Sequence, residues 1–474
     1  MTSLQDAVKP AALARTAAAT VRDPMIWAFL GALVLLFWLP EFILYMGWAR
    51  FWIQFTTQVF IWSLFAMAFN LLMGYAGMVS FGQAAYLGIG GYTAGLLLKN
   101  IPGLSFYLGL AAAPVGGALA ALLIGWFCIR RTHIYFAILT LAFGHIVYLI
   151  AFKWYDFTGG DNGLIGIPVP KWITEPTFAN YYKFVLVICV AAIYLLWRIV
   201  NSPFGKALTA IRENPERADF IGIPVDRYRL YAFVIVGAFS GLAGSLIMVN
   251  ERSVYPDLAH WTQSTQVLLM VLLGGVYTFF GPIIGALLLR TMDADITQNY
   301  PEIWQLFLGG VLVLILFGLP GGIVGFIQGR DISSGDDEET RRGKALRVLA
   351  RKTWMFFGGA LVFTAFFAVL QQPDAWLAPR ARNWAIWAPA TWGVVPCMLV
   401  QLALFGGGLW LLLRRAGQFA RRDAVLLVAL PVLFLALHLH LGTPLSGLLI
   451  ALLWVVHTIH ALAQPDLRRA IAGA

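Results

Sequence analysis

The chain has 474 residues, is 60% hydrophobic and carries 12% charged residues against 14% aromatic ones. A soluble domain has about 25% charged residues, so the composition excludes a water-soluble fold and indicates an integral membrane protein. The formal net charge of +10 does not point to nucleic acid, because the basic residues cluster at the ends of apolar runs, where positive-inside placement puts them.

Residues 1–24 hold Lys9, Arg15 and Arg22 among small residues and read as a cytoplasmic N-terminal segment. The apolar run after them is too long for a signal-peptide core and is followed by another, so no cleavage is expected. A spanning helix needs about 20 apolar residues. Such runs occur at 25–47, 51–72, 78–98, 106–128, 135–152, 181–200, 231–249, 264–289 and 303–327. Arg130, Arg131, the loop 201–229 and the basic linker with Arg341, Arg342, Lys344, Arg347, Arg351 and Lys352 are expected inside, and segment 153–183, with Asp156, Asp161 and Glu175, outside. With the N-terminus inside, this holds as far as residue 249. Plain spans from there on would leave the basic linker outside, so one run must fold back or split.

Two runs qualify. Residues 73–98 read MGYAGMVSFGQAAYLGIGGYTAGLLL, and residues 269–290 read LMVLLGGVYTFFGPIIGALLLR. Both are broken by glycine, and both contain a Gly-Gly, a Tyr-Thr pair and a closing leucine-rich run. Non-helical backbone at membrane depth survives only inside protein or along a wet cavity. Paired interruptions in two halves of a chain point to a translocation site between repeats. The alternative is that glycines at small-xxx-small spacing simply let helices pack closely. On the first reading the lining residues are Gly74, Tyr75, Ser80, Phe81, Gly82, Gln83, Gly274, Gly275, Tyr277, Thr278, Gly281 and Pro282.

Between these runs lies a polar interval, NSPFGKALTAIRENPERADFIGIPVDRYR, over 201–229. Ser202 before Pro203 is an N-cap followed by proline at the first helical position. Asn214 before Pro215 repeats the signal, and Gly222 with Pro224 stops the second helix. The spacing predicts a hairpin loop with a compact helix over 215–221. Arg212, Glu213, Asn214, Pro215, Glu216, Arg217, Ala218 and Gly222 form this element, beside apolar Phe220 and Ile221. A small rigid helix on the cytoplasmic side is a handle for another protein.

From residue 328 the chain turns hydrophilic, and 328–352 read as a charged cytoplasmic linker. Residues 353–474 hold further apolar runs at 354–370, 387–413, 424–439 and 441–462. Arg414, Arg415, Arg421, Arg422, Arg468 and Arg469 fit the inside, so this is an appended four-span membrane region.

Chemistry of its own is sparse. No G-x-x-x-x-G-K-[ST] loop occurs, since Gly205-Lys206 and Gly343-Lys344 lack the flanking residues. The pairs His438/His440 and His457/His460 lie at helix levels roughly 25 Å apart at 1.5 Å per residue, too far to share one metal. His145, inside a span, is expected to bond a neighbouring helix or to line the pathway. Cys128, Cys189 and Cys397 sit in separate apolar runs and read as packed thiols. Glu41, near the outer end of the first span, is one of few intramembrane carboxylates, and that scarcity argues against proton or sodium coupling. A conduit with no energy source and a cytoplasmic handle must be driven from outside itself, the alternative being a stand-alone channel or ion-coupled carrier.

These motifs resemble the permease subunits of branched-chain amino acid ABC importers, closest to the LivM-like branch. The resemblance rests on NLLMGYAGMVSFGQAAYLGIGGYTAGLLL from Asn70, TGGDNGLIGIP from Thr158, SPFGKALTAIRENPERADFIGIPVDRYRLYAF from Ser202, LLMVLLGGVYTFFGPIIGALLL from Leu268 and LFGLPGGIVGFI from Leu316. It implies an all-α integral membrane protein, with an inverted-repeat permease bundle of about 8–10 helices with broken or re-entrant segments over 25–327 and about four appended transmembrane helices. It implies partners as well: a second permease subunit of the same family, two ATP-binding-cassette ATPase subunits, a periplasmic substrate-binding protein and membrane lipid, with no nucleic acid. No cofactor is expected on this chain, ATP and Mg being used by the ATPases. The implied cargo is branched-chain or other small amino acids, with urea, short amides or small carboxylates as the alternative, across a bacterial inner membrane. Two departures stand out. Residues from 328 onward have no counterpart, and Gly321 stands where the family often has arginine.

Overall fold

The computed structural model describes residues 24–45, 51–130, 134–174, 178–299 and Gly322. The first 23 residues, the run 303–327, the linker 328–352 and the region 353–474 lie outside the described residues. So do Cys397, Gly321 and the four C-terminal histidines.

The described residues are mainly helical. Its main elements are α1 (Pro24–Tyr45), α2 (Phe51–Asn70), α3 (Gln83–Asn100), α4 (Phe106–Cys128), α5 (Ile134–Lys153) and α6 (Ala179–Val200). They continue with α7 (Pro203–Glu213), α8 (Pro215–Phe220), α9 (Val225–Glu251), α10 (Trp261–Gly274) and α11 (Gly281–Asn299). Two short strands, β1 (Leu164–Ile165) and β2 (Ser253–Val254), pair antiparallel, with Leu164 opposite Val254. Five stretches are long and apolar enough to cross a membrane: Phe51–Tyr75, Phe106–Cys128, Ile134–Lys153, Ala179–Val200 and Val225–Glu251. The protein is thus a multi-pass α-helical membrane protein.

Helix ends depart from the apolar runs where backbone chemistry overrides hydropathy. α2 widens into a π-helical turn over Leu71–Tyr75, and the chain then leaves helical geometry at Gly77, whose φ is +71°. α3 therefore starts at Gln83, five residues past the start of its apolar run. α9 starts earlier than its run because the polar turn after Pro224 continues the helix, with Asp226 favourably placed in the first turn.

α3, α4 and α9 pack against one another most extensively, and small residues make that possible. Gly90 faces the Gly241 backbone, Gly117 faces Gly237 and Gly241, and a Cβ on Gly244 would fall on the Leu87 carbonyl. Tyr86 fills the space beside them, fully buried and edge-on to Phe233 at 5.5 Å between ring centroids. For Gly90 and Gly91, helix packing is therefore the role the structure shows. Large apolar side chains on the outside of α4, α5 and α6, among them Leu123, Trp126, Ile138 and Leu195, are exposed. Water does not tolerate such a surface and lipid does.

The run 264–289 is not one span. α10 ends at Gly275, which takes φ 119° and ψ 109°. α11 starts at Gly281, and the two helices run back to back. Gly274 lies against Gly281 and the Met270 carbonyl against Gly285, the register of an antiparallel hairpin. Gly322, φ +68°, lies against Gly275. α11 returns along α2, with Thr278 beside Asn70 at one end and Arg290 beside Gln58 at the other. A hairpin returns the chain to the end it left, which removes the conflict that a ninth plain span creates. Although the two Gly-Gly stretches share letters, Gly90 and Gly91 lie inside α3, whereas Gly274 and Gly275 end α10.

Candidate functional site

The loop between α6 and α9 is built by its caps. Ser202 Oγ accepts from the Gly205 N–H at 3.4 Å, with Pro203 opening α7. Asn214 serves both helices: its N–H donates to the Ala210 carbonyl at 3.0 Å, and its Oδ1 accepts from the Arg217 N–H at 2.9 Å. α8 closes at Phe220, with Ile221 as its cap. The Gly222 N–H donates to the Asp219 carbonyl at 2.8 Å and the Ile223 N–H to the Ala218 carbonyl at 3.1 Å. That pair of bonds needs a left-handed residue, and Gly222 supplies φ +88°. Ala218, 2% exposed, faces inward, while Phe220 and Ile221 stand 91% and 71% exposed. Glu213, Glu216, Arg217 and Asp219 surround them on the open side, with Pro215 half-buried. α7 is tied to α9 by Phe204 and Tyr228, stacked at 5.4 Å and 17°.

The two broken runs meet each other and this loop. Asn70 Nδ2 donates to the Thr278 carbonyl at 3.1 Å, and Thr278 Oγ1 donates to the Gly275 carbonyl at 2.9 Å. Gly74 is pressed so closely on Val276 that a side chain has no room. Arg212 Nη1, from the last turn of α7, donates to the Gly74 carbonyl, and its guanidinium carbon stands 5.2 Å from the centroid of the Tyr277 ring. Of the predicted coupling residues, Arg212 and Ala218 therefore face the bundle, Asn214 and Pro215 are half-buried, and Glu213, Glu216, Arg217 and Gly222 are exposed.

The predicted pathway residues divide. Tyr277 is 65% exposed, whereas Ser80, Gln83, Gly274, Thr278, Gly281 and Pro282 are buried in this conformation. Tyr75 and Phe81 are half-buried. Gly82 packs against the Thr140 carbonyl and Gly144 of α5, and Gly281 lies against Thr278 and the Gly274 carbonyl. Gln83 Nε2 reaches Ser240 Oγ at 3.4 Å, and the Ala84 N–H donates to Ser264 Oγ at 2.8 Å. The start of α3 is thus capped by a side chain of α10. Three buried oxygens in the first break, Asn70 Oδ1, Ser80 Oγ and Gln83 Oε1, have no hydrogen-bond partner among the described residues. Asn70, Ser240 and Ser264 were missed as site residues. Their signal was a polar side chain within an apolar run.

At the opposite end of α11, Arg290 donates to Gln58 Oε1 at 2.9 Å and to Asp293 Oδ2 at 2.7 Å. It also stacks over Trp62 at 5.2 Å. Glu41 pairs with Lys183 of α6. His145 is exposed and stacks on Tyr148 instead of bonding a neighbouring helix, and Tyr148 in turn meets His260 at 4.8 Å. Burial pushes the His260 imidazole below its usual range, opposed by Asp257 and reinforced by His145. Among the described residues no three His, Cys, Asp or Glu side chains come together as a metal site would need.

A family model described as "Branched-chain amino acid transport system / permease component" matches residues 51–316. The high-affinity branched-chain amino acid transport system permease protein LivM of Escherichia coli is 29% identical over 297 residues, which cover 57% of this chain and 69% of that protein. A probable branched-chain amino acid transport permease protein LivM of Methanocaldococcus jannaschii is 24% identical over 313 residues, 56% of this chain and 90% of the relative. The L-arabinose ABC transporter permease protein AraH of Azospirillum brasilense is 30% identical over 262 residues, 51% of this chain and 72% of the relative. No solved structure matches. The family model takes in all the elements built above from α2 to α11, and on that extent the chain belongs to the branched-chain amino acid transport permease components, the membrane subunits of ABC importers.

Proposed function

We propose that this permease carries branched-chain or similarly small amino acids inward across the bacterial inner membrane, powered by two separate ATPase subunits that grip α8. It pairs with a second permease of the same family and receives its cargo from a periplasmic binding protein. ATP and Mg belong to the ATPases. The observation that carries this reading is α8 itself, a doubly capped helix holding Phe220 and Ile221 out of the bundle among exposed charges. Exposed apolar anchors ringed by charge are what a protein partner buries.

ATPase closure would push α8 and, through Asn214, α7. The oxygens of Asn70, Ser80 and Gln83, without a partner among the described residues, support a cargo route at the first break, because they suit an ammonium or amide N–H. An L-arabinose permease among the relatives keeps the chemical class open on the sequence side, as does the alternative of urea, short amides or small carboxylates.

The test is reconstitution of the full complex with leucine as the probe. Glu213→Lys and Glu216→Lys are expected to abolish ATP-driven uptake while the chain still inserts and expresses. Normal uptake in both variants, or uptake driven by a proton gradient without ATP, refutes the reading.

A further inference from the structure

Resting on that reading, we propose that Arg212 is the strut that carries motion of the coupling loop into both broken segments at once, a positioning residue and not a contact for the ATPase. The first observation is direction. Phe220 and Ile221 face out, whereas Arg212, two residues before the cap shared by α7 and α8, reaches into the bundle. The second is what it holds. The π-helical turn diverts the ordinary ladder: the Met78 N–H turns back to the Leu72 carbonyl at 3.0 Å and the Ala76 N–H to Leu71 at 3.1 Å. The Gly74 carbonyl is thereby freed, and Arg212 takes it. The stem of Arg212 lies along Gly77, where a Cβ would come within 2.8 Å of its Cγ. The guanidinium face covers Tyr277 in the turn between α10 and α11.

One side chain thus touches the first break at two points and the second break at one, across 138 residues of sequence to Gly74. Among the described residues it makes no ion pair. Its charge is met by a carbonyl dipole and a ring face, and a planar guanidinium can lie flat on the ring while its edge donates to the carbonyl. Either break could move alone if Asn70 were the only tie. With Arg212 in place, a displacement of α7 reaches both.

The test uses the complete importer in lipid, with leucine uptake and ATP hydrolysis measured together, and with thiol labelling of Phe280→Cys as a readout that needs no cargo. Phe280 lies in the turn and is 52% exposed. Arg212→Met is expected to lower leucine moved per ATP hydrolysed by about tenfold, within the range of energetic couplings between sites, and to abolish any ATP-dependent change in labelling. Arg212→Lys is expected to fall between, and it serves if the methionine variant fails to assemble. Tyr277→Leu added to Arg212→Met is expected to cost little more, as for residues acting as one unit. An unchanged leucine-to-ATP ratio, or ATP-dependent labelling that survives in both Arg212 variants, overturns the strut alone. Absence of ATP-driven leucine uptake with Arg212 intact overturns the importer reading and the strut with it, whereas uptake without any ATP-dependent labelling change overturns the strut alone.

Discussion

At the scale of single residues, glycine acts here in two separate ways. At Gly222 and Gly77 it supplies positive φ, so its value is conformational. At Gly244 it supplies absence of bulk. A methyl there falls on the Leu87 carbonyl and comes within 3.0 Å of the Gly91 N–H, and backbone on both sides cannot step aside. Gly91, on the same crossing, has its nearest neighbours at 3.3 Å, one of them the Leu258 side chain. Gly244→Ala is therefore expected to destabilise the bundle by about 1–3 kcal/mol, the usual cost of overpacking, and Gly91→Ala by much less. Thermal denaturation of both variants in the same detergent checks the order. Equal losses would mean that the crossing between α3 and α9 yields more freely than its backbone contacts allow.

Among elements, α8 depends most on its ends. Six residues cannot sustain a helix on their own, so the Asn214 cap and the left-handed Gly222 closure decide whether it exists. Nothing stands within 4 Å of a Cβ at Gly222. Alanine there costs only the left-handed backbone, about 1–2 kcal/mol, and leaves the bundle untouched. Gly222→Ala is expected to speed proteolysis within 214–224 and to weaken ATPase binding, with the melting temperature of the bundle unchanged. This element was legible in advance because Ser202-Pro203, Asn214-Pro215 and Gly222 are local signals, and local bonds answer them. The contacts of Arg212 were not legible. They join residues far apart in sequence through a carbonyl that is free only because of a π turn, and neither hydropathy nor capping encodes that. The break in the run 73–98 was legible from its glycines, but not the start of α3: residues 78–82 are apolar enough for a helix, yet the backbone near Gly77 and Gly82 serves tight contacts with Arg212 and Thr140 instead.

For the whole molecule, counting charges against spans was the informative argument. A mismatch of one crossing pointed to a fold-back, and α10 and α11 form it. The shared Gly-Gly and Tyr-Thr letters were a poorer guide, since they mark helix packing in α3 and a helix end in α10. The family model stops at residue 316, and the reading that residues beyond 328 are an addition to the transport unit carries a direct expectation. A chain ending at residue 327 is expected to insert, to pair with its permease partner and to bind ATPases as the full chain does. Co-purification of the complex with and without residues 328–474 measures this, and loss of assembly would make the addition part of the transport unit.

Arg290 gives the hairpin a fulcrum. Gln58 and Trp62 of α2 hold Arg290, so that end of α11 cannot slide along α2 without losing a hydrogen bond and a ring contact to a buried guanidinium, which Asp293 of α11 itself also meets. If the ATPases move the hairpin, α11 is expected to pivot about this end. From Arg290 to Gly281 is about 14 Å at 1.5 Å per residue, so a tilt of about 10° would swing the tip that Asn70 and Arg212 hold by roughly 2.4 Å. The stroke would then be set by where the bolt sits along the helix, however hard a nucleotide-driven partner pulled.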